Sequence, residues 1–235
     1  MIDCNPETNG ELRLATLLVP RCRVVFDVGV RQDDHLVQLN DHCEFHLFEP
    51  NAGHCQALAA KVGLRPNVTV NPLALGNRRG TSWMYPDTES LVKRPHSQLE
   101  PVTIALTRLD DYCRERNIPH IDFLKIDTEG FELEVLKGGR EIVHRATRVI
   151  QFEYGGTYAD AGITLEMVFD FLGPQWCYYR IRPQRLVRIK SCRRRYEDGC
   201  YANYVASREP LPPEIVGRGI VGRLLFGRRS WSRAA

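Results

Sequence analysis

Three charged residues in one short stretch, Lys125, Asp127 and Glu129 of IDFLKIDTEGFELEVLKGG (121–139), are the groups in this sequence best placed to do chemistry. The apolar run broken by Lys125 and closed by Asp127, Glu129 and Gly130 predicts a buried strand that feeds a helix through a tight turn. An ammonium group buried in mid-strand is costly unless it is paired. Side chains at i and i+2 share one face of a strand, so Lys125 and Asp127 can partner each other. As an isolated ion pair they would only fix the turn. At the carboxyl end of a strand in an open α/β sheet, however, carboxylates stand where ligands bind, and there they could take a proton or hold a cation. Glu153, which follows the apolar run 147–152, is another carboxylate at a strand end.

Presenting these side chains requires a sheet. RVVFDV (23–28) is β-branched, aromatic and unbroken, the profile of a central parallel strand, and it ends in Asp27-Val28-Gly29, where a nucleotide-type ligand would meet the backbone. A second strand, 44–48, passes through Glu49-Pro50 into a helix over 51–62 that Asn51 can cap. An acid at that point, about 20 residues beyond the first glycine turn, is where dinucleotide-type folds hold ribose hydroxyls. Glu49 suits the task because an ionised carboxylate accepts two hydroxyl bonds at once.

Further along, the pattern predicts a third strand over 68–75, an antiparallel pair from 81–86 and 102–106, and a helix over 107–117 with Asp110 and Asp111 as caps in its first turn. The helix after Gly130 stops at Gly138, and another runs from Thr164 to Leu172. Segments 176–181 and 200–207 read as a closing antiparallel hairpin. The whole predicts a doubly wound α/β fold with a mostly parallel, Rossmann-like sheet and an antiparallel edge. One domain spans 1–208, with an N-terminal helix over 7–19 packed on it, and 209–235 is a basic tail rich in Pro and Gly.

A net charge of +3 over 235 residues does not indicate a nucleic-acid binder. The eight cysteines show no C-x-x-C pair and no metal-finger spacing, and read as small core residues of a reducing compartment. Met1–Glu11 is polar, without a signal-peptide pattern, and no apolar run is long enough to span a bilayer, so the expectation is a cytoplasmic protein. The basic cluster from Arg180 to Arg195 reads as a solvated sheet edge first, as a surface for an anionic acceptor second and as a nucleic-acid surface a distant third. Four glycines, Gly217, Gly219, Gly222 and Gly227, weaken any helix in the tail, so the expectation is a disordered or partner-ordered segment, with peripheral contact to an anionic membrane as the secondary reading.

VVFDVG (24–29), LFEPN (47–51), TRLDDYC (107–113) and the 121–139 stretch together resemble the FkbM-type family of S-adenosylmethionine-dependent methyltransferases, a branch of the class I methyltransferase fold. The resemblance covers most of Asn9 to Arg208 and is most specific at K-I-D-x-E-G-x-E. It implies S-adenosylmethionine as cofactor and O-methylation of a hydroxyl on a sugar, glycan or natural product. The implied cofactor residues are Asp27, Gly29 and Arg31 after the first strand, Glu49 and Pro50 after the second, and Ala74 and Leu75 at the end of the third. Lys125, Asp127, Glu129 and Glu153 form the implied catalytic end. Carboxylate ligation of a divalent cation such as Mg²⁺ is the alternative to a general base, and the metal-free reading is preferred. One departure stands out: the family's D-x-G-A-N-x-G reads here Asp27-Val28-Gly29-Val30-Arg31-Gln32-Asp33. Either a neighbour such as Glu11, in Asn9-Gly10-Glu11, compensates for the missing glycine, or the chain is a methyltransferase-like binding module that has lost its cofactor.

Overall fold

The computed structural model describes residues 5–190 and 201–217. The single N-terminal helix expected from the sequence is two, α1 (Pro6–Asn9) and α2 (Glu11–Leu18). They break at Gly10, whose φ of 103° no other residue adopts readily and where a Cβ would collide with the Arg182 carbonyl. The break puts Glu11 at the head of α2, while Leu14 and Leu18 are buried.

The apolar runs become β1 (Val24–Val28) and β2 (Glu44–Phe48), which lead through α3 (Ala52–Val62) to β3 (Val68–Asn71). The expected third strand over 68–75 ends early. Pro72 has no N–H to give to a ladder, the Leu73 amide turns back to the Asn71 carbonyl at 2.9 Å, and the chain restarts as β4 (Ala74–Leu75) in a different sheet. There β5 (Gly80–Met84) and β6 (Val102–Thr107) pair antiparallel as expected, giving the order β4-β6-β5.

After α4 (Leu109–Glu115) and β7 (Ile121–Ile126) come α5 (Glu132–Gly138) and an unexpected helix, α6 (Arg140–Ala146). Asp110 accounts for it: its carboxylate accepts from the Glu141 and Ile142 amides at 3.1 and 2.9 Å, so it caps α6 rather than its own helix. The chain then runs through β8 (Thr147–Tyr154), α7 (Gly156–Asp160), α8 (Leu165–Leu172), β9 (Cys177–Arg182), β10 (Arg185–Ile189), β11 (Ala202–Ser207) and α9 (Pro213–Val216). The expected two-strand hairpin is a three-strand unit. β10 folds back on β9, and β11 inserts between β9 and β8.

The main sheet has the order β10-β9-β11-β8-β7-β1-β2-β3. From β3 to β8 every pair is parallel, and from β8 to β10 every pair is antiparallel. From β1 the chain fills one side of the sheet and then crosses to β7 to fill the other, so the carboxyl ends of β1 and β7 flank the switch point. Alternation along β1 sends Val24, Phe26 and Val28 into the core beneath α4, α5 and α8, and Val25 into the core beneath α2 and α3. β10 is an edge strand carrying Arg185 and Arg188, the blunted edge that the basic cluster suggests; Arg193, Arg194 and Arg195 lie outside the described residues. Cys43, Cys55 and Cys113 are buried thiols, Cys22 and Cys177 are partly buried, and Cys4, Cys192 and Cys200 lie outside the described residues. The same is true of tail residues 218–235. Among the described residues no helix is long and apolar enough to cross a membrane.

Candidate active site

Two strand ends meet at the switch point so closely that only glycine fits. A Cβ on Gly29, whose φ is 86°, would overlap the Asp127 carbonyl, and the Asp127 amide donates to the Val28 carbonyl at 2.9 Å. The glycine after β1 is thus required first by the neighbouring backbone. Next to it Glu49, 4% exposed, accepts from the Arg31 amide at 2.8 Å and the Asn51 amide at 2.7 Å. Burial raises its pKa, and those two bonds oppose the rise. Asn51 caps α3 as the sequence suggests, accepting from the Gly53 and His54 amides.

These groups border a cleft of about 540 Å³, open mouth included. Gly29, Arg31, Glu49, Pro50, Ala74 and Leu75 all line it, and so do Asp127 and Glu129. Another part of its lining is apolar, with Met84 from the second sheet, Leu91 from segment 85–101 and Phe131 from the turn before α5. The remaining predicted residues, Glu11, Asp27, Lys125 and Glu153, are not part of the lining. They form a buried polar layer that meets the cleft at Asp127.

Lys125 organises that layer. It is 8% exposed, with its Nζ 3.2 Å from Asp127 Oδ2 and 3.6 Å from Asp27 Oδ1. Burial alone would lower its pKa, but the surrounding carboxylates Asp27, Asp127 and Glu11 raise it well above the usual lysine value. Asp127 moves the other way, because Lys125 and a hydrogen bond from Glu153 outweigh its burial. Glu153 completes the exchange: burial and the neighbouring Asp127 raise its pKa far above the usual carboxylate range, which favours its acid form as a donor to Asp127. The sequence treats Glu153 as an anion; the structure makes it a proton holder. Glu11 accepts from Asn9 at 2.6 Å and from Asn203 and Gln151 at 2.8 Å, which engages both its oxygens. Asp33, in the position of the family's missing glycine, pairs with His35 at 2.6 Å.

The turn that presents Asp127 is fastened by residues the sequence does not single out. Glu132, fully buried, accepts from the Thr128 amide at 2.8 Å, the Thr128 hydroxyl at 3.0 Å and the Gly130 amide at 3.1 Å. Its place in the E-G-x-E spacing, four residues after Thr128 and at the head of α5, is the sequence signal, since an acid there can reach back to free amides. Segment 85–101 contributes Ser90, which donates to the Glu129 carbonyl at 2.8 Å, and Arg94, 2.9 Å from the Glu129 carboxylate. Nothing local in that polar segment indicates such a role.

A nucleoside fits the cleft. Its apolar lining would suit a base, and Glu49 keeps a lone pair on each oxygen for a diol after its two amide bonds. A divalent cation fits less well. Asp127, Glu129 and Glu153 bring oxygens within 4.8 Å of one another, but Asp127 is already paired with Lys125, and Glu129 with Arg94 and with Arg31 at 3.2 Å.

The methyltransferase FkbM domain model matches residues 27–181. Over 183 residues the chain is 24% identical to the 2-O-methyltransferase NoeI of Sinorhizobium fredii, a match covering 68% of this chain and 75% of that protein. Methyltransferase FkbM from Methylobacillus flagellatus shares the fold with a TM-score of 0.50 at 15% identity, over 79% of this chain; the match spans 43% of that protein's chain. The architecture is the class I methyltransferase fold.

Proposed function

Because the chain belongs to the FkbM methyltransferase family, we propose that it transfers a methyl group from S-adenosylmethionine to a hydroxyl of a sugar or glycan. The observation that carries this reading is the meeting of Glu49 and Asp127 on one cleft at the switch point of the sheet. Glu49 would hold the donor's ribose diol, with Pro50, Ala74 and Leu75 beside the base and Gly29 beneath. When bound there, S-adenosylmethionine supplies an electrophilic methyl carbon on a sulfonium.

The protein's own residues then align the acceptor and take its proton. Asp127, ionised and presented by a fixed turn, accepts the acceptor hydroxyl's hydrogen bond and so sets the oxygen in line. Its lowered pKa makes it a weak base for a resting alcohol. An oxygen that is gaining a bond to carbon becomes far more acidic, so a weak base suffices once that bond is forming. Lys125 and the acid form of Glu153 keep Asp127 ionised and oriented before transfer. Glu129, held by Arg31 and Arg94, shapes the rim. The likeness to a 2-O-methyltransferase supports oxygen as the atom methylated.

Calorimetric titration with S-adenosylhomocysteine tests the donor site. Binding in the micromolar range is expected, weakened about tenfold or more by Glu49→Ala, the loss of one charge-assisted diol contact. No binding at millimolar ligand would overturn the reading and favour a binding module without cofactor. Transfer of labelled methyl to a panel of saccharides then tests the acceptor class.

A further inference from the structure

Among the described residues four non-glycine positions have a positive φ, and three of them, Arg31 (56°), Glu89 (49°) and Glu129 (57°), line the same cleft. A left-handed backbone disfavours any residue with a Cβ, and glycine would occupy each position more easily. Here each carries a long charged side chain instead, and the charges are joined. Arg31 Nη2 lies 2.6 Å from Glu89 and 3.2 Å from Glu129. His54 lies 3.5 Å from the other oxygen of Glu89.

The pairs connect separate parts of the chain. Arg31 follows β1 and Glu129 follows β7, whereas Glu89 belongs to segment 85–101 between β5 and β6. Arg94 of the same segment also reaches Glu129. Arg31 holds at two points: its backbone N–H donates to Glu49, the carboxylate read above as holding the donor, while its guanidinium reaches the segment on the far side. Its side chain is 53% exposed, so solvent and salt weaken these pairs. Such a network can part and re-form; a buried one would not.

We propose that Arg31 is a latch. Its pairs with Glu89 and Glu129 hold segment 85–101 against the strand ends across the cleft, and the spent donor leaves only after they break. The kinetic half of this inference rests on the donor reading of the cleft; the structural half does not.

Two measurements test it. In ligand-free protein, hydrogen exchange of amides in 85–101 should be about fivefold faster or more in Arg31→Ala than in the unaltered chain, with β7 amides unchanged. Equal exchange would overturn the latch. Glu89→Gln, which leaves the β1 exit intact, should reproduce the effect and serves if Arg31→Ala fails to fold. In stopped-flow measurements, S-adenosylhomocysteine should dissociate about tenfold faster from either variant. Raising salt to about 0.5 M should speed release from the unaltered chain and leave Arg31→Ala nearly unchanged. Binding with an unchanged dissociation rate overturns the gating role. If the unaltered chain binds no S-adenosylhomocysteine at millimolar concentration, the donor reading fails, and the exchange result alone decides whether Arg31 fastens the segment.

Discussion

Glu132 sets burial against hydrogen bonding in one side chain, and the balance is measurable. Three donors, the Thr128 amide, the Thr128 hydroxyl and the Gly130 amide, favour its anion. Complete burial disfavours the anion and prevails, raising the pKa from 4.5 to about 7. Between those values the folded chain keeps a proton that the unfolded chain has released, so stability falls as pH rises. The stabilisation is fully present below 4.5 and is lost by the time pH passes about 7, a difference of about 3 kcal/mol. Glu132→Gln removes the titration while keeping an oxygen to accept from Thr128. Urea unfolding of both chains at a series of pH values from about 4.5 to 8 reads the effect as a difference. The other buried acids, Glu11, Asp27 and Glu153, titrate in both chains and largely cancel. The unaltered chain should lose about 3 kcal/mol relative to Glu132→Gln across the range. Parallel curves would refute the reasoning, because they would mean that the donors of the turn keep Glu132 ionised at every pH tested.

Lys125→Met should cost about 3–5 kcal/mol in urea unfolding at neutral pH, since it leaves Asp27 and Asp127 facing each other without their shared cation; a loss below about 1 kcal/mol would mean that the carboxylates relax by taking up protons. Asp110→Ala should cost about 1–2 kcal/mol by uncapping α6 while leaving S-adenosylhomocysteine affinity unchanged, which calorimetry would check.

What could be read in advance follows from the range of the forces involved. β1, β2 and β7 are mostly apolar runs with their ligand-facing residues directly at the exits, so Glu49 and Asp127 are legible from neighbours in sequence. Glu132 lies within reach of local reading as well, because its partners are at most four residues away. The elements that escaped depend on distant partners. Gly138 and Gly139 do end α5, yet a new helix starts at once because Asp110 supplies its cap from α4. β10 looks like a charge cluster because its exposed arginines interrupt Leu186 and Ile189, the two residues it buries.

Protonation is the least legible property, and Glu153 shows why. A carboxylate at a strand end reads as an anion until its neighbours are known. The charges at the ends of β1 and β7 then become a matter of number: two aspartates, Asp27 and Asp127, share one lysine, and a third full negative charge beside Asp127 would have no cation to offset it. A proton on Glu153 keeps the excess from growing and turns a competitor for Lys125 into a donor for Asp127. The same reasoning separates the rim from the interior. Glu89 and Glu129 meet side chains from separate elements instead: Arg31 after β1, His54 of α3 and Arg94 of segment 85–101. The buried layer thus limits its negative charge with a proton, whereas the rim pairs its carboxylates with side chains that can move away.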